Sequence, residues 1–393
     1  MLTFILIIIY MSFISLGLPD SLLGAVWPVM RIDMQMPLSA AGILSMLITG
    51  GTIISSFFSG KMIKKFGTGK VTFISVIMTA FALLGFSVSM SFYWLCLLAI
   101  PLGLGAGAVD SALNNFVALH YKAKHMSWLH CFWGIGATSG PFIMSMFLSS
   151  ANGWRKGYLI ISILQLCLVF VLFLSLPLWK RFEQTKVEDL ESDNEITQKT
   201  SLFSSPIVRF TLVSFFCYCA IETTAGLWGS SYLVNTKGVQ ADTAAKWVSL
   251  FYLGITIGRL ITGFVSMRMS NRSLIRVGLI SMLLGTVVFF LPVTPSACIF
   301  GFILIGLGCA PIFPCMLHDT PRKVGKRLSQ SMMGIQMAFA YIGSTLMPPL
   351  FGVLAAASGT SIFPIYIFIL LFIMVICVEM GNKLLNGEKK RVV

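Results

Sequence analysis

The chain has 393 residues, of which 56% are hydrophobic and 11% are charged, and its mean hydropathy is +0.89. Soluble domains carry about 25% charged residues, so this composition excludes an ordinary soluble protein and indicates a membrane protein. The formal net charge is +14, but the Lys and Arg residues cluster in short loops at alternate ends of apolar segments. This placement indicates membrane topology under the positive-inside rule and argues against a nucleic-acid partner.

Twelve apolar segments follow one another along the chain. A helical span needs about 20 apolar residues, and these segments are too long for strands and lack the alternation that strands show. They are residues 2–30, 39–60, 71–90, 92–119, 127–150, 157–179, 207–233, 244–267, 273–291, 296–318, 328–354 and 361–384. We therefore predict an all-α membrane protein with twelve transmembrane helices rather than a β-barrel.

A charged stretch that is poor in aromatic residues divides the segments into two sets of six. It spans residues 180–206 and is predicted to be a flexible linker. The chain is thus predicted to comprise an N-terminal six-helix half (1–179), the linker, a C-terminal six-helix half (207–386) and a short tail (387–393). Because the linker belongs to the more basic set of loops, the positive-inside rule predicts that it and both termini are cytoplasmic, in a protein of the plasma membrane.

Three carboxylates, Asp20, Asp110 and Glu222, lie within the apolar segments. A charged side chain at bilayer depth costs about 2.5–3.5 kcal/mol on insertion scales. Such acids serve as a proton relay, a cation site or a substrate ligand, so all three are predicted to take part in proton coupling. Asp20 follows Pro19 midway through the first span, and for it a local cap or a place near the outer water is the alternative.

Two of these acids have a neighbour one helical turn away. Asn114 follows Asp110 at i+4, which puts both on one face of the fourth span; a satisfied hydrogen-bond pair between helices is the alternative. Tyr218 precedes Glu222 by one turn, and an aromatic ring beside an acid suits a sugar, through ring stacking and hydrogen bonds to hydroxyls. Asn114, Tyr218 and Glu222 are therefore predicted to bind substrate.

Other polar and aromatic residues within the spans complete the predicted site. The remaining predicted substrate-binding residues are Trp27, His130, Trp133, Gln336 and Tyr341. A structural histidine bonded to a backbone carbonyl and interfacial anchoring of the aromatic residues are the alternatives. Arg259 and Lys65 are predicted gate residues. No metal site or cofactor is predicted, since the nine cysteines show no CxxC pair.

Several short stretches carry a family resemblance. Gly107-Ala-Val-Asp110-Ser-Ala-Leu-Asn114, Phe216-Cys-Tyr-Cys-Ala-Ile-Glu222 and Pro311-Ile-Phe-Pro314 resemble the fucose:proton symporter branch of the major facilitator superfamily. The resemblance implies the major facilitator fold, two six-helix halves around a midplane site. It also implies a proton- or sodium-coupled sugar carrier, with Asp110 taking the coupling proton. The amides that the branch uses on its fifth span fall at or near His130 and Trp133, so fucose itself is not expected.

The sequence thus predicts a secondary active transporter that moves a sugar or similar small polar solute with a proton by alternating access. The alternative is a drug or metabolite efflux antiporter of the same fold, because 22 Met and 32 Phe residues suit varied apolar ligands. An enzyme is not expected, since no HExxH motif or appended soluble domain is present. The expected partners are the solute, the coupling proton or sodium and the lipid bilayer, and the expected state is a monomer.

Overall fold

The computed structural model describes residues 2–121, 123–183, 205–292, 294–324 and 326–392. These residues are almost entirely helical and include no β-strand, which confirms the predicted all-α class. Within them, eleven helical stretches are long and apolar enough to cross a membrane. Most of the predicted linker, residues 184–204, and the final residue of the predicted tail lie outside the described residues.

The helices of the N-terminal half follow the predicted segments, although several begin or end a few residues away from the predicted bounds. They are α1 Leu2–Asp20, α2 Leu22–Asp33, α3 Ala40–Phe66, α4 Thr68–Val88, α5 Phe92–His120, α6 Ala123–Ser145 and α7 Gly153–Glu183. The basic residues that follow the second predicted span lie within α3, which is helical as far as Phe66. Within this half α1 packs on α6, α3 on α5 and α4 on α7.

The first predicted span is two helices that meet at Ser21. Proline has no backbone N–H to donate, so Pro19 weakens the end of α1. Ser21 lies between α1 and α2, and its hydroxyl donates to the backbone carbonyl of Ala137 on α6, at 2.8 Å. The interruption leaves Asp20 as the last residue of α1, close to α6.

The helices of the C-terminal half are equally close to prediction. They are α8 Pro206–Lys237, α9 Ala241–Val265, α10 Asn271–Phe290, α11 Cys298–His318, α12 Thr320–Val324, α13 Lys326–Ser358 and α14 Phe363–Val392, with 3₁₀ turns at Pro295–Ala297 and Thr360–Ile362. The short helix α12 was not predicted. Helix α14 continues past the predicted end of the last span, into residues predicted as a tail.

Helix α6 differs from the other spans because it is not among the eleven most apolar stretches. Its sequence includes His130, Thr138 and Ser139, and it packs against α1 of its own half and α9 of the other. The faces of α6 that pack on these helices can carry polar side chains that a lipid-facing surface cannot. With α6 counted, the described residues form twelve helical stretches of membrane-spanning length, six on each side of the predicted linker.

The two halves meet closely at one end of the bundle. There α2 packs on α8, and α3 packs on α13. A Cβ atom built at Gly24 would lie 2.7 Å from the Cα atom of Leu227, and one built at Gly42 would lie 2.7 Å from the Cα atom of Pro349. Only glycine permits such an approach of backbones, as in other membrane helix pairs. We call this the glycine-closed end; the opposite end carries the more basic loops and is the basic end.

Candidate functional site

A cavity of about 290 Å³ lies between the two halves. Helices α1, α2, α3, α5 and α6 line it from one side and α8, α9 and α13 from the other. Its acids and aromatic residues are Asp20, Trp133, Glu222, Tyr252 and Tyr341. Its small hydroxyl residues are Ser45, Thr49, Thr52, Thr223 and Ser344. The central cavity can therefore offer both hydrogen-bond acceptors and flat apolar surfaces to a solute.

Asp20 faces this central cavity at the break in the first span. Its side chain is exposed, although the residue lies among packed helices. One carboxylate oxygen accepts a hydrogen bond from the indole Nε1 of Trp133, at 2.8 Å. The structure thus brings together two residues that are 113 positions apart in sequence. The other carboxylate oxygen makes no hydrogen bond among the described contacts of Asp20 and can accept one from a solute.

Asp110 and Asn114 form the predicted pair on one face of α5. The amide Nδ2 of Asn114 donates to Oδ1 of Asp110 at 2.9 Å, and to the backbone carbonyl of the same residue at 3.0 Å. Both side chains are half-buried, and neither lines the central cavity. Asp110 lies within electrostatic range of Asp20 and of Tyr341, which do line it. Asp110 can therefore interact electrostatically with groups that line the cavity, but it does not itself line the surface that a solute would contact.

A second cavity, of about 490 Å³, extends toward the basic end. His130 and Arg259 line its inner part, whereas Asn271 and His318 line its outer part, near the ends of α10 and α11. We call it the basic-end cavity. His130 was predicted to bind substrate; the structure places it here and not in the central cavity.

Arg259, Glu222 and Trp133 separate the two cavities. The guanidinium of Arg259 lies 3.7 Å from the carboxylate of Glu222 and 5.3 Å from the centre of the Trp133 ring. The side chains of Arg259 and Glu222 are only 17% and 16% exposed. Glu222 and Trp133 line the central cavity, and Arg259 lines the other. This cluster, the partition, includes the predicted gate residue Arg259.

Tyr218 does not line the central cavity in this conformation, so its stacking on a solute stays a prediction. The side chain is 1% exposed, and its ring packs on Phe313 with centroids 5.9 Å apart. Its hydroxyl lies beside Arg259 and Glu222. Although Tyr218 shares a helix face with Glu222, the helix packs that part of the face against α11. Tyr218 therefore supports the partition from behind.

Trp27 also lies outside the lining of the central cavity. Its side chain is fully buried, and its indole Nε1 donates to the backbone carbonyl of Leu38 at 2.9 Å. The ring packs near Phe92, with centroids 6.4 Å apart. Because protein surrounds Trp27 on every side, it does not line the central cavity in this conformation, and its role in substrate binding stays a prediction.

Two further predicted residues lie away from both cavities. Gln336 is fully buried, and its Oε1 accepts a hydrogen bond from the Thr320 hydroxyl at 2.8 Å, which ties α13 to α12. Lys65 is exposed on the last turn of α3, where its ammonium lies 5.3 Å from the centre of the Phe66 ring. Neither residue lines either cavity in this conformation, and the predictions that Gln336 binds solute and that Lys65 gates the pathway stay predictions.

The hydroxyl groups of the central cavity were not among the predicted site residues. Ser45, Thr49 and Thr52 on α3 all line it, and their spacing of i, i+4 and i+7 puts them on one helix face. Such a polar stripe in an apolar segment is a readable signal. Tyr252 also lines the cavity, but it stands among apolar neighbours and no sequence pattern distinguishes it.

Several known proteins resemble this chain in sequence or in fold. A relative from Saccharomyces cerevisiae, bypass of stop codon protein 6, is 25% identical over 411 residues, covering 96% of this chain and 82% of the relative. The glucose/mannose transporter GlcP of Bacillus subtilis is 28% identical over 270 residues, which cover 65% of this chain and 64% of the relative. The solved structure of the nucleoside transporter NupG has the same fold, with a TM-score of 0.77, 13% identity, and coverage of 96% of this chain and 98% of that one.

The sequence profile of the Major Facilitator Superfamily matches residues 4–331 and 210–381. Together the two matched ranges take in almost the whole chain, including the helices on both sides of the central cavity and the partition. The chain belongs to the Major Facilitator Superfamily.

Proposed function

We propose that the protein is a secondary transporter that moves a sugar or similar small polar solute in symport with a proton, and that it is not an enzyme. The observation that carries the proposal is the central cavity, which lies between the halves and combines two carboxylates, several hydroxyl groups and three aromatic residues. A sugar has an apolar ring face and a rim of hydroxyls, so it can use both kinds of surface. The similarity to a glucose/mannose transporter supports the same solute class.

The size of the central cavity favours a sugar over a drug. Sites for drug-sized ligands measure about 300–1,000 Å³, and this cavity, at about 290 Å³, is at the lower limit. Its lining also includes five Ser and Thr residues; their hydroxyls donate to backbone carbonyls, as at Thr49 and Thr223, and each oxygen can still accept a hydrogen bond from a sugar hydroxyl. Within the superfamily, we place the chain near the fucose:proton symporter branch, on the motif that contains Asp110 and Asn114.

We infer that, in the conformation described here, the two halves are closed together at the glycine-closed end, while only the partition separates the central cavity from the basic end. The positive-inside rule makes the basic end cytoplasmic. The partition then acts as the inner gate: when Arg259 and Glu222 separate, the central cavity joins the basic-end cavity. Rocking of the halves would separate Gly24 from Leu227 at the other end in the alternate state.

Asp110 is proposed to carry the coupling proton, with Asp20 as its partner at the solute. The Asn114 amide donates to a carboxyl oxygen of Asp110, and this hydrogen bond is stronger when Asp110 is ionised, so loading and release of the proton would change it. Asp20 and Glu222 contact the solute and respond to it. One charge that moves across the membrane potential is worth about 2.3 kcal/mol per 100 mV, which is sufficient to drive uphill uptake.

Uptake by reconstituted protein tests this function. Proteoliposomes should accumulate a radiolabelled hexose, with glucose and mannose tested first, when an inward pH gradient is imposed in sodium-free buffer. Asp110→Asn should abolish this accumulation and leave sugar counterflow intact, because the amide keeps the shape but cannot cycle a proton. Asn115→Ala is the matched control, since that neighbouring side chain is exposed and should leave both activities unchanged.

Three results would count against the proposal. Gradient-driven accumulation that persists in Asp110→Asn would remove that residue from coupling. Accumulation that needs sodium and ignores pH would replace the proton as the coupling ion. Extrusion of amphipathic dyes without any hexose movement would establish efflux instead.

A further inference from the structure

The two cavities carry opposite charge. Asp20 and Glu222 line the central cavity, and none of the described residues that line it is Lys, Arg or His. Arg259, His130 and His318 line the basic-end cavity, and its described lining includes no carboxylate. A solute in the central cavity therefore meets acids, although an arginine lies directly behind one of them.

Glu222 stands between that arginine and the solute. Its carboxylate lies 3.7 Å from the Arg259 guanidinium, on the central-cavity side of the partition. The Trp133 ring covers the guanidinium at 5.3 Å, with Nε1 of the same indole donating to Asp20. The positive charge is thus balanced and screened from the cavity by groups already in place.

We propose that Glu222 determines specificity, making the site accept neutral sugars and reject the corresponding uronates. This inference rests on the proposed function as a sugar carrier. Sugar hydroxyls can donate to Asp20 and Glu222, whereas the carboxylate of a uronate meets two like charges and no free cation. If position 222 loses its charge, Arg259 becomes the partner for a solute carboxylate, since a guanidinium binds carboxylates through two parallel hydrogen bonds.

The test compares uptake of glucose and glucuronate, which differ only at C6, and of galactose and galacturonate in the same way. Wild-type protein should take up the neutral sugar at least tenfold faster than its uronate. Glu222→Gln keeps the size of the side chain but not its charge, and should raise the ratio of uronate to sugar uptake at least tenfold. Glu222→Asp keeps the charge and should retain the wild-type ratio. The double variant Glu222→Gln/Arg259→Gln should lose the gain.

The ratio separates this role from a purely mechanical one. If the ion pair only closes the partition, Glu222→Gln would change both uptake rates by the same factor, and the unchanged ratio would overturn the proposal. Wild-type protein that carries glucuronate as well as glucose would overturn it without any variant, while sugar transport itself stands. Wild-type protein that carries no hexose would instead refute the proposed function and this inference together.

Discussion

The contact between Gly24 and α8 allows a sharp test of how the halves move. In Gly24→Ala, the new Cβ would lie 2.7 Å from the Cα atom and 2.9 Å from the carbonyl oxygen of Leu227. Real Cβ atoms do not approach backbone so closely, and the neighbours here are backbone atoms that cannot rotate away. Overpacking of this kind costs about 1–3 kcal/mol. Because the cost falls only on the state in which α2 touches α8, the equilibrium should shift toward the alternate state.

A shift of 1–3 kcal/mol corresponds to roughly a 5- to 150-fold change in the ratio of the two states. Spin labels at Ile32 and Gln240, both exposed at the glycine-closed end, would report this as a longer distance in double electron–electron resonance. Gly60→Ala is the matched control, because a Cβ at Gly60 has no neighbour within 4 Å. An unchanged distance distribution in correctly folded Gly24→Ala would refute the idea that this contact belongs to one state only.

Three other predictions follow from described contacts. Trp133→Phe removes the hydrogen-bond donor to Asp20 but keeps a ring beside Arg259. Because a hydrogen bond to a charged group is worth about 1.5–3 kcal/mol, sugar affinity measured by equilibrium binding should fall at least tenfold. An unchanged Kd would contradict this role of Trp133. Arg155→Gln breaks the ion pair with Asp33. After allowance for partial exposure, it should lower the free energy of unfolding by about 1–2 kcal/mol, which a lower melting temperature in detergent would show. Equal melting temperatures would show that the pair contributes nothing. Burial lowers the pKa of Lys323 below its usual value of 10.5, so the folded state binds fewer protons there than the unfolded state and stability should rise with pH toward 10.5. Lys323→Met should flatten this rise in a series of melting curves, and an identical pH slope in both proteins would exclude the effect.

Residues that share a helix could be related from the sequence, because helix geometry fixes their relative positions. Asp110 and Asn114 were predicted on one face and form the expected contact. The twelve spans were predicted for a similar reason, since the length of an apolar segment is a local property. At the break in the first span, the Ser21 hydroxyl bonds to α6, a contact that the sequence does not show. Pro19 was the one nearby sequence signal for a break.

The depth of a side chain within the bundle and its contacts with other helices could not be predicted from the sequence in this way. Trp27 and Gln336 looked like cavity residues because each is a polar or aromatic group in an apolar run. Their partners, the Leu38 carbonyl and Thr320, become visible only when the chain is packed. The contact of Trp133 with Asp20 likewise joins α6 to α1 and leaves no local trace in the sequence.

The weak hydrophobicity of α6 has a consequence for how the protein is made. A segment that carries His130, Thr138 and Ser139 enters lipid less readily than its neighbours, and one of its faces packs on α9, which the ribosome synthesises more than a hundred residues later. Until then only helices of its own half, chiefly α1, pack on α6. Cys131 is half-buried in the folded chain. We therefore expect it to react faster with aqueous thiol reagents in a nascent chain truncated after residue 183, in which α9 does not yet pack on α6.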